Sequence, residues 1–214
     1  MKRYILAISG ASGSLFGIRV LETLIRKSEV HLIISAQSFS IIRHETGMNW
    51  SGKTDGAVQE KIRAHFKSRR IHYYNEANLA APISSGSFIT DGMLVVPCSM
   101  KTLAGIAGGY ANNLTERAAD VIIKEGRPLL LSPREMPFSA IHLENMLKLA
   151  RSGVKIAPPV PAFYQKPRKL DDIVDFVTGK ILDSFGVRHG LYNRWGTRYK
   201  ESEVRAGRKK RGVR

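Results

Sequence analysis

Short aliphatic and β-branched runs alternate along the chain with longer segments whose apolar positions recur at helical spacing. Residues 4–9 predict a strand, and 15–26 follow with helical periodicity. Residues 30–35 predict a second strand, and 39–45 extend a helix. A polar, glycine-containing stretch over 49–55 leads into a helix over 57–66, and 71–74 reads as a short strand. The runs 93–97, 128–133 and 154–158 are apolar and bounded by Gly or Pro, with helices expected over 113–125 and 138–151 between them. A last helix spans 170–185, before Gly186. Strands that alternate with helices imply βαβ units and a mostly parallel sheet. Near-continuous apolar strands imply that both sheet faces are covered. There is no internal repeat. The expected fold class is α/β, a single doubly wound three-layer αβα domain of Rossmann/flavodoxin-like kind.

A chain of 214 residues fits one such domain with a tail, and 43% hydrophobic with 24% charged residues excludes a mainly disordered or collagen-like chain. The charge is uneven. Ten of the 34 Lys and Arg fall in residues 186–214 against two glutamates, which is half of the net +16. The domain is therefore expected over 1–187, with a basic tail over 188–214, ordered at its start near Arg194-Trp195 and mobile beyond. A run such as Arg208-Lys209-Lys210-Arg211 can bind nucleic acid or an anionic surface. A solvated arm is the favoured reading, because no stacking pattern or helix-turn-helix signature accompanies it. The single cysteine, Cys98, excludes an intramolecular disulfide framework and a four-cysteine zinc site, and reads as a small buried hydrophobe. The apolar run after Met1-Lys2-Arg3 is too short for a signal peptide, and no stretch reaches the ~18 apolar residues of a membrane span. A cytoplasmic setting and no membrane partner are expected.

In a doubly wound sheet, ligands bind beyond the C-terminal ends of the strands. That rule selects residues 9–14, 35–38, 97–102, 132–135 and 158–164, all rich in hydroxyl, Gly, Pro or charged side chains. Gly10-Ala11-Ser12-Gly13 lets a backbone approach an anion, and the helix start behind it offers N–H groups and a positive dipole end. It is neither G-x-G-x-x-G nor a P-loop, so it reads as a phosphate seat or a tight turn; with Ser12 as donor, a flavin mononucleotide fits better than a dinucleotide. Ser99 and Thr102 suit a helix cap, yet Ser99-Met100-Lys101-Thr102 together at a strand end also suit a ligand. Arg117 and Lys124 flank the apolar stripe of their helix, where they either snorkel or reach a phosphate at a subunit interface. Arg134-Glu135 puts a cation and a carboxylate at a strand end, ahead of a helix started by Pro137. Lys180 is expected along the buried stripe of the last helix, where it either snorkels past the core or meets an anion.

Two patterns read as decoys. Asp171-Asp172-Ile173-Val174-Asp175 spells the DDxxD by which helical prenyl synthases hold magnesium and diphosphate, but here it opens a helix, where acidic residues suit the dipole. His44, His65 and His72 lack metal-ligand spacing and read as surface or packing residues, so no metal is expected.

Taken together, GASGSLFG at 10–17, SSGS at 84–87, PCSMKTLAGIA at 97–107 and LTERAADVIIKEGRPLLLSPRE at 114–135 resemble the UbiX-type flavin prenyltransferases. HLENMLKL at 142–149, PPVPAFYQKP at 158–167 and RWG at 194–196 extend the resemblance to about residues 3–196. The resemblance implies an enzyme, a prenyltransferase acting on reduced FMN and dimethylallyl monophosphate. It joins the prenyl group to flavin N5 and C6, and the product, prenylated FMN, serves a UbiD-type decarboxylase. The family is metal-independent and dodecameric. By position, Gly10, Ala11, Ser12, Ser35, Ser99, Met100, Lys101, Thr102 and Arg134 match its FMN contacts, and Tyr164 and Lys180 its contacts to the prenyl phosphate. Arg117, Lys124 and Glu135 match positions around that phosphate, and Glu45 a carboxylate near the flavin; Ser12, Glu45, Lys124 and Glu135 are the implied catalytic set. Two departures stand out. Asn78-Leu79-Ala80 replaces a stretch that carries Trp in many relatives, and Lys180 replaces Arg, keeping charge but losing bidentate geometry. The alternatives are an FMN-dependent cysteine decarboxylase of the same superfamily, whose catalytic His and PxMNxxM segment find no match here, and a basic nucleic-acid-binding module.

Overall fold

The computed structural model describes residues 1–194; the basic tail beyond, with Trp195 and Gly196, lies outside the described residues. Six strands form the sheet: β1 (Lys2–Ile8), β2 (Ser28–Ile34), β3 (Ile71–Asn75), β4 (Met93–Cys98), β5 (Leu129–Pro133) and β6 (Lys155–Ile156). All five pairings are parallel, in the order β3-β2-β1-β4-β5-β6. The helices are α1 (Ser14–Leu24), α2 (Ala36–Thr46), α3 (Asp55–Phe66), α4 (Met100–Gly108), α5 (Leu114–Lys124), α6 (Ala140–Arg151) and α7 (Leu170–Ser184).

Strand alternation divides the core. Tyr4, Leu6 and Ile8 point to one face, where α1, α2, α3 and α7 pack with Leu21, Ile42, Ile62 and Val177. Ile5 and Ala7 point to the other, with Leu103 of α4, Leu114 and Ile122 of α5, and Leu149 of α6. Leu6 pairs with Leu32 on one side and Leu94 on the other, and all three are fully buried. Each such side chain contributes about 1.5–3 kcal/mol of burial. Close approach of α1 depends on Gly17, where a Cβ would lie 2.2 Å from the Val96 carbonyl oxygen.

Three local expectations shift. The nine-residue α4 is not visible as periodicity, because MKTLAGIAG is short and glycine-containing; it forms because Ser99 caps it and Leu103, Ile106 and Ala107 are buried under it. The β6 ladder is only two residues long, since Pro158 and Pro159 cannot donate to a ladder. Helix α6 starts at Ala140 rather than at Pro137: Ser139 accepts the His142 N–H and the His142 ring accepts the Ser139 N–H.

Candidate active site

The strand order changes direction between β1 and β4, and the loops that leave their C-terminal ends border the crevice. Ser9 rivets these loops together. Its hydroxyl donates to the Pro97 carbonyl at 3.1 Å and accepts the Ser99 N–H at 2.8 Å. The next strand ends are tied on in turn, by the Ser35 N–H to the Ile8 carbonyl at 3.0 Å and the Arg134 N–H to the Cys98 carbonyl at 3.1 Å. Gly10–Ser12, Ser35, Ser99–Thr102 and Arg134 therefore lie on four adjacent strand ends, β2-β1-β4-β5. Sequence reasoning placed Ser9 in a strand-end segment without giving it this bridging part.

Hydroxyl geometry fixes some proton directions. Ser38 donates to the Ile8 carbonyl at 2.9 Å, so in its 2.8 Å contact with Ser35 it must accept. Ser35 spends its proton there and keeps lone pairs for a donor. Ser99 accepts the Thr102 N–H at 3.2 Å and donates to the Thr102 hydroxyl at 3.0 Å.

The N–H groups that open α1 are not free for an outside anion. The Glu45 carboxylate already occupies the α1 N-terminus, accepting the Gly13 N–H at 3.0 Å, the Ser14 N–H at 2.9 Å and the Ser14 hydroxyl at 2.7 Å. The Ser12 hydroxyl also donates to it. Burial raises the Glu45 pKa, but these donors outweigh it and leave the group below its ordinary 4.5. The α2 N-terminus is likewise taken, its Ala36 N–H donating to Glu76 at 2.7 Å. Among the described residues, α4 alone of the three presents its first-turn N–H groups, those of Met100 and Lys101, without a protein carboxylate, and the exposed Lys101 side chain adds a cation.

The "Flavoprotein" family model matches residues 1–182. The chain is 44% identical over 195 residues to flavin prenyltransferase UbiX of Methanocaldococcus jannaschii, covering 91% of this chain and 99% of the relative. A crystal structure of AnUbiX (PadA1) in complex with FMN and dimethylallyl pyrophosphate superimposes with a TM-score of 0.82 at 42% identity, covering 92% of this chain and 99% of that one. The dodecameric FMN-dependent UbiX-like decarboxylase from Escherichia coli O157:H7 gives 0.81 at 46% identity, covering 91% and 100%.

The chain belongs to the UbiX flavin prenyltransferase family.

As a UbiX family member, it distributes the remaining candidates in two places. Arg117 and Lys124 lie on α5, on the far face of the sheet from α7. Arg117 donates to the Ser84 carbonyl at 3.1 Å and pairs with Asp120 at 2.8 Å; Lys124 pairs with Glu125 at 2.6 Å, next to Gly86. Tyr164 and Lys180 belong to the α7 side. The Tyr164 ring packs edge-on against Phe176 with centroids 5.7 Å apart, and Lys180 follows Phe176 by one helical turn. One chain therefore does not gather Arg117, Lys124, Tyr164 and Lys180 into a single cluster. The buried-stripe expectation for Lys180 is also corrected. Burial in α7 is broader than one stripe, taking in Val174, Phe176, Val177, Thr178, Gly179, Ile181 and Leu182, yet Lys180 among them is exposed.

Glu135 is exposed, with its carboxylate on the Met136 N–H at 3.0 Å, and Arg134 is exposed beside it. Leu79 is exposed too, in the loop before the SSGS segment. The DDxxD carboxylates serve the helix start and an arginine: Asp172 accepts the Arg168 N–H at 2.9 Å, and Asp175 pairs with Arg19 at 2.8 Å. Among the described residues no group of three or more His, Cys, Asp or Glu is placed to hold a metal ion. Cys98 is fully buried, and burial pushes its thiol pKa up. No helix among the described residues is long and apolar enough to cross a membrane.

Proposed function

We propose that this chain is a flavin prenyltransferase that joins a dimethylallyl group from dimethylallyl monophosphate to N5 and C6 of reduced FMN. The observation that carries this reading is the switch-point crevice. Four strand ends are laced together there, with small residues at Gly10 and Ala11 and an open, lysine-bearing helix start at α4. The cradle fits a flavin mononucleotide. Gly10 is exposed, and a Cβ there would press on Gln37 at 3.3 Å, so this turn favours a residue without a side chain beside Ser35. The α4 N–H groups, Lys101 and Arg134 suit the phosphate, while the Ser35 lone pairs suit a ribityl hydroxyl. When bound, reduced flavin supplies the nucleophilic ring atoms and a face that stabilises an allyl cation.

The chain's own part is to make a monophosphate leave. Separating an allyl cation from phosphate demands fixed positive charge and hydrogen-bond donors at the departing oxygens. The Tyr164 hydroxyl and the Lys180 ammonium supply these from the α7 side, with Arg117 and Lys124 of a partner subunit completing the cluster, since α5 of the same chain lies across the sheet. Glu135 would relay a proton from solvent to the leaving phosphate. The Glu45 carboxylate fixes Ser12 at the flavin edge. The prenylated flavin would go to a UbiD-type decarboxylase. The dodecameric relative supports a homo-oligomer of this kind.

The test is anaerobic incubation with reduced FMN and dimethylallyl monophosphate, followed by mass and absorption spectra of the extracted flavin. A flavin heavier by one five-carbon prenyl unit is expected, and Ser12→Leu should lose FMN while keeping its circular dichroism. Unmodified flavin from a folded, FMN-loaded protein would refute the assignment. Family membership disfavours the cysteine-decarboxylase and nucleic-acid readings.

A further inference from the structure

The segment that follows α7 folds back on that helix and is fastened at Asp183. One carboxylate oxygen accepts the His189 Nε2–H at 3.0 Å and a guanidinium N–H of Arg194; the other accepts the Tyr192 hydroxyl at 2.5 Å. The Leu191 N–H donates to His189 Nδ1 at 3.2 Å, which sets the ring with its proton on Nε2, toward Asp183. The His189 side chain is 1% exposed. Burial and the neighbouring carboxylate raise the Tyr192 pKa to about 12, so its hydroxyl stays a donor. The seat for both rings is Gly179, where a Cβ would lie 2.4 Å from Tyr192 and 2.8 Å from His189. A side chain at that position would lift the segment off the helix.

This fastening reaches the prenyl-phosphate side of the site. The Tyr192 ring packs on Phe176 with centroids 5.1 Å apart, and Phe176 in turn meets Tyr164. Next to Tyr164, the Gln165 side-chain amide donates to the Asn193 carbonyl at 3.2 Å. The loop that carries Tyr164 has no regular structure between Ile156 and Leu170, and the tyrosine is 54% exposed, so its own burial does little to fix it. We propose that Asp183, His189 and Tyr192 form a clasp that positions Tyr164 for the allylic phosphate, through the Phe176 ring and the Gln165–Asn193 strap, without touching substrate. The inference rests on the Tyr164 role given under the proposed function.

The experiment compares Tyr192→Ala, Tyr192→Phe and Gln165→Ala in the full chain, measuring steady-state kinetics with dimethylallyl monophosphate, FMN affinity and hydrogen–deuterium exchange over residues 159–168. Tyr192→Ala should raise KM about tenfold with kcat and FMN affinity within about twofold, and should speed exchange in that loop. Tyr192→Phe keeps the ring on Phe176 and should stay within about threefold of wild type; Gln165→Ala should fall between. Unchanged KM and exchange in Tyr192→Ala would overturn the proposal, as would a joint fall of kcat and FMN affinity, which marks general loosening. If Tyr192→Ala fails to assemble, unchanged exchange in Gln165→Ala is the refuting result. Should wild type form no prenylated flavin, the functional reading fails, while the exchange of residues 159–168 still decides whether the clasp orders the loop.

Discussion

Replacing Glu45 by Gln tests the reassignment of the first loop. The carboxylate accepts two backbone N–H groups and the Ser14 hydroxyl at 2.7–3.0 Å, at the positive end of α1. A glutamine keeps one acceptor oxygen but loses the charge, so the charge-assisted bonds weaken by roughly half and the dipole contribution of about 0.3–1 kcal/mol disappears. Glu45 is only half-buried, and water recovers part of the difference. The expected loss is about 1–2 kcal/mol for Glu45→Gln, and about 2–3 kcal/mol for Glu45→Ala, which leaves Gly13 and Ser14 with no protein acceptor. The pH dependence has a definite sign. The folded pKa lies below the ordinary 4.5, so this stabilisation is fully present above 4.5 and is lost as pH falls through the folded value. Urea unfolding at fixed protein concentration should show a constant gap between wild type and Glu45→Gln from about pH 7 to 5, closing below 4.5. A gap under about 0.3 kcal/mol, or one that persists unchanged in acid, would refute the capping argument.

Burial first, then the charges of His72 and Arg3, push His31 from 6.5 down to about 4, with Glu29 opposing. Its neutral form stabilises the fold above pH 6.5; that stability, on the order of 3 kcal/mol, should drain away as pH falls toward 4, and His31→Phe should flatten the profile of unfolding free energy against pH over that window. Lys180→Ala should weaken use of dimethylallyl monophosphate by about tenfold to a hundredfold in KM while leaving FMN binding intact, with Lys180→Arg restoring most of it; loss of FMN instead would contradict the assignment. Turnover should persist in EDTA, because Asp172 and Asp175 are engaged at the helix start and with Arg19; loss on chelation with recovery in Mg²⁺ would reinstate the DDxxD reading.

The layered fold was legible because its strands are apolar on both faces and separated by helix-period segments. The adjacency of the candidate loops was legible for a related reason, since each is a strand end and strand ends of a parallel sheet share one edge. What the sequence concealed depends on contacts between distant segments. Nothing in the composition of α2 says that Glu45 reaches back to Gly13, so the sequence left the first loop open as a phosphate seat or a tight turn, and the start of α4 as a cap or a ligand contact. Lys180 shows a different limit. Periodicity reports one apolar stripe, but burial on α7 extends to Phe176 and Gly179 because Tyr192 packs over them, and Lys180 is exposed although it lies between buried neighbours. His31 escaped notice altogether because it sits inside β2 as one more strand residue. Only the fold stacks it on His72, with ring centroids 5.1 Å apart, and sets its Nδ1 3.0 Å from the Tyr74 hydroxyl.

The division of the proposed phosphate-binding residues between the two sheet faces bears on why the proposed homo-oligomer would form. Leaving-group stabilisation without a metal needs several cations within a few ångströms of one phosphate, and concentrating them in one folding chain would oppose its folding through mutual repulsion. Here each chain keeps its cations apart and neutralises those on α5 locally, Arg117 with Asp120 and Lys124 with Glu125. Repulsion is then met only on association, where a large apolar surface can offset it. Helix α6 offers such a surface. Ile141, Leu143 and Leu147 are at least half exposed on its outer side, and Met136 and Phe138 extend the patch in the preceding loop. On this reading, assembly and catalysis are linked by charge. Substrate phosphate would stabilise the interface that presents the cations to it, and removing the apolar residues of α6 would weaken use of the allylic phosphate before it disturbed the proposed flavin loops, which sit on adjacent strand ends of one sheet.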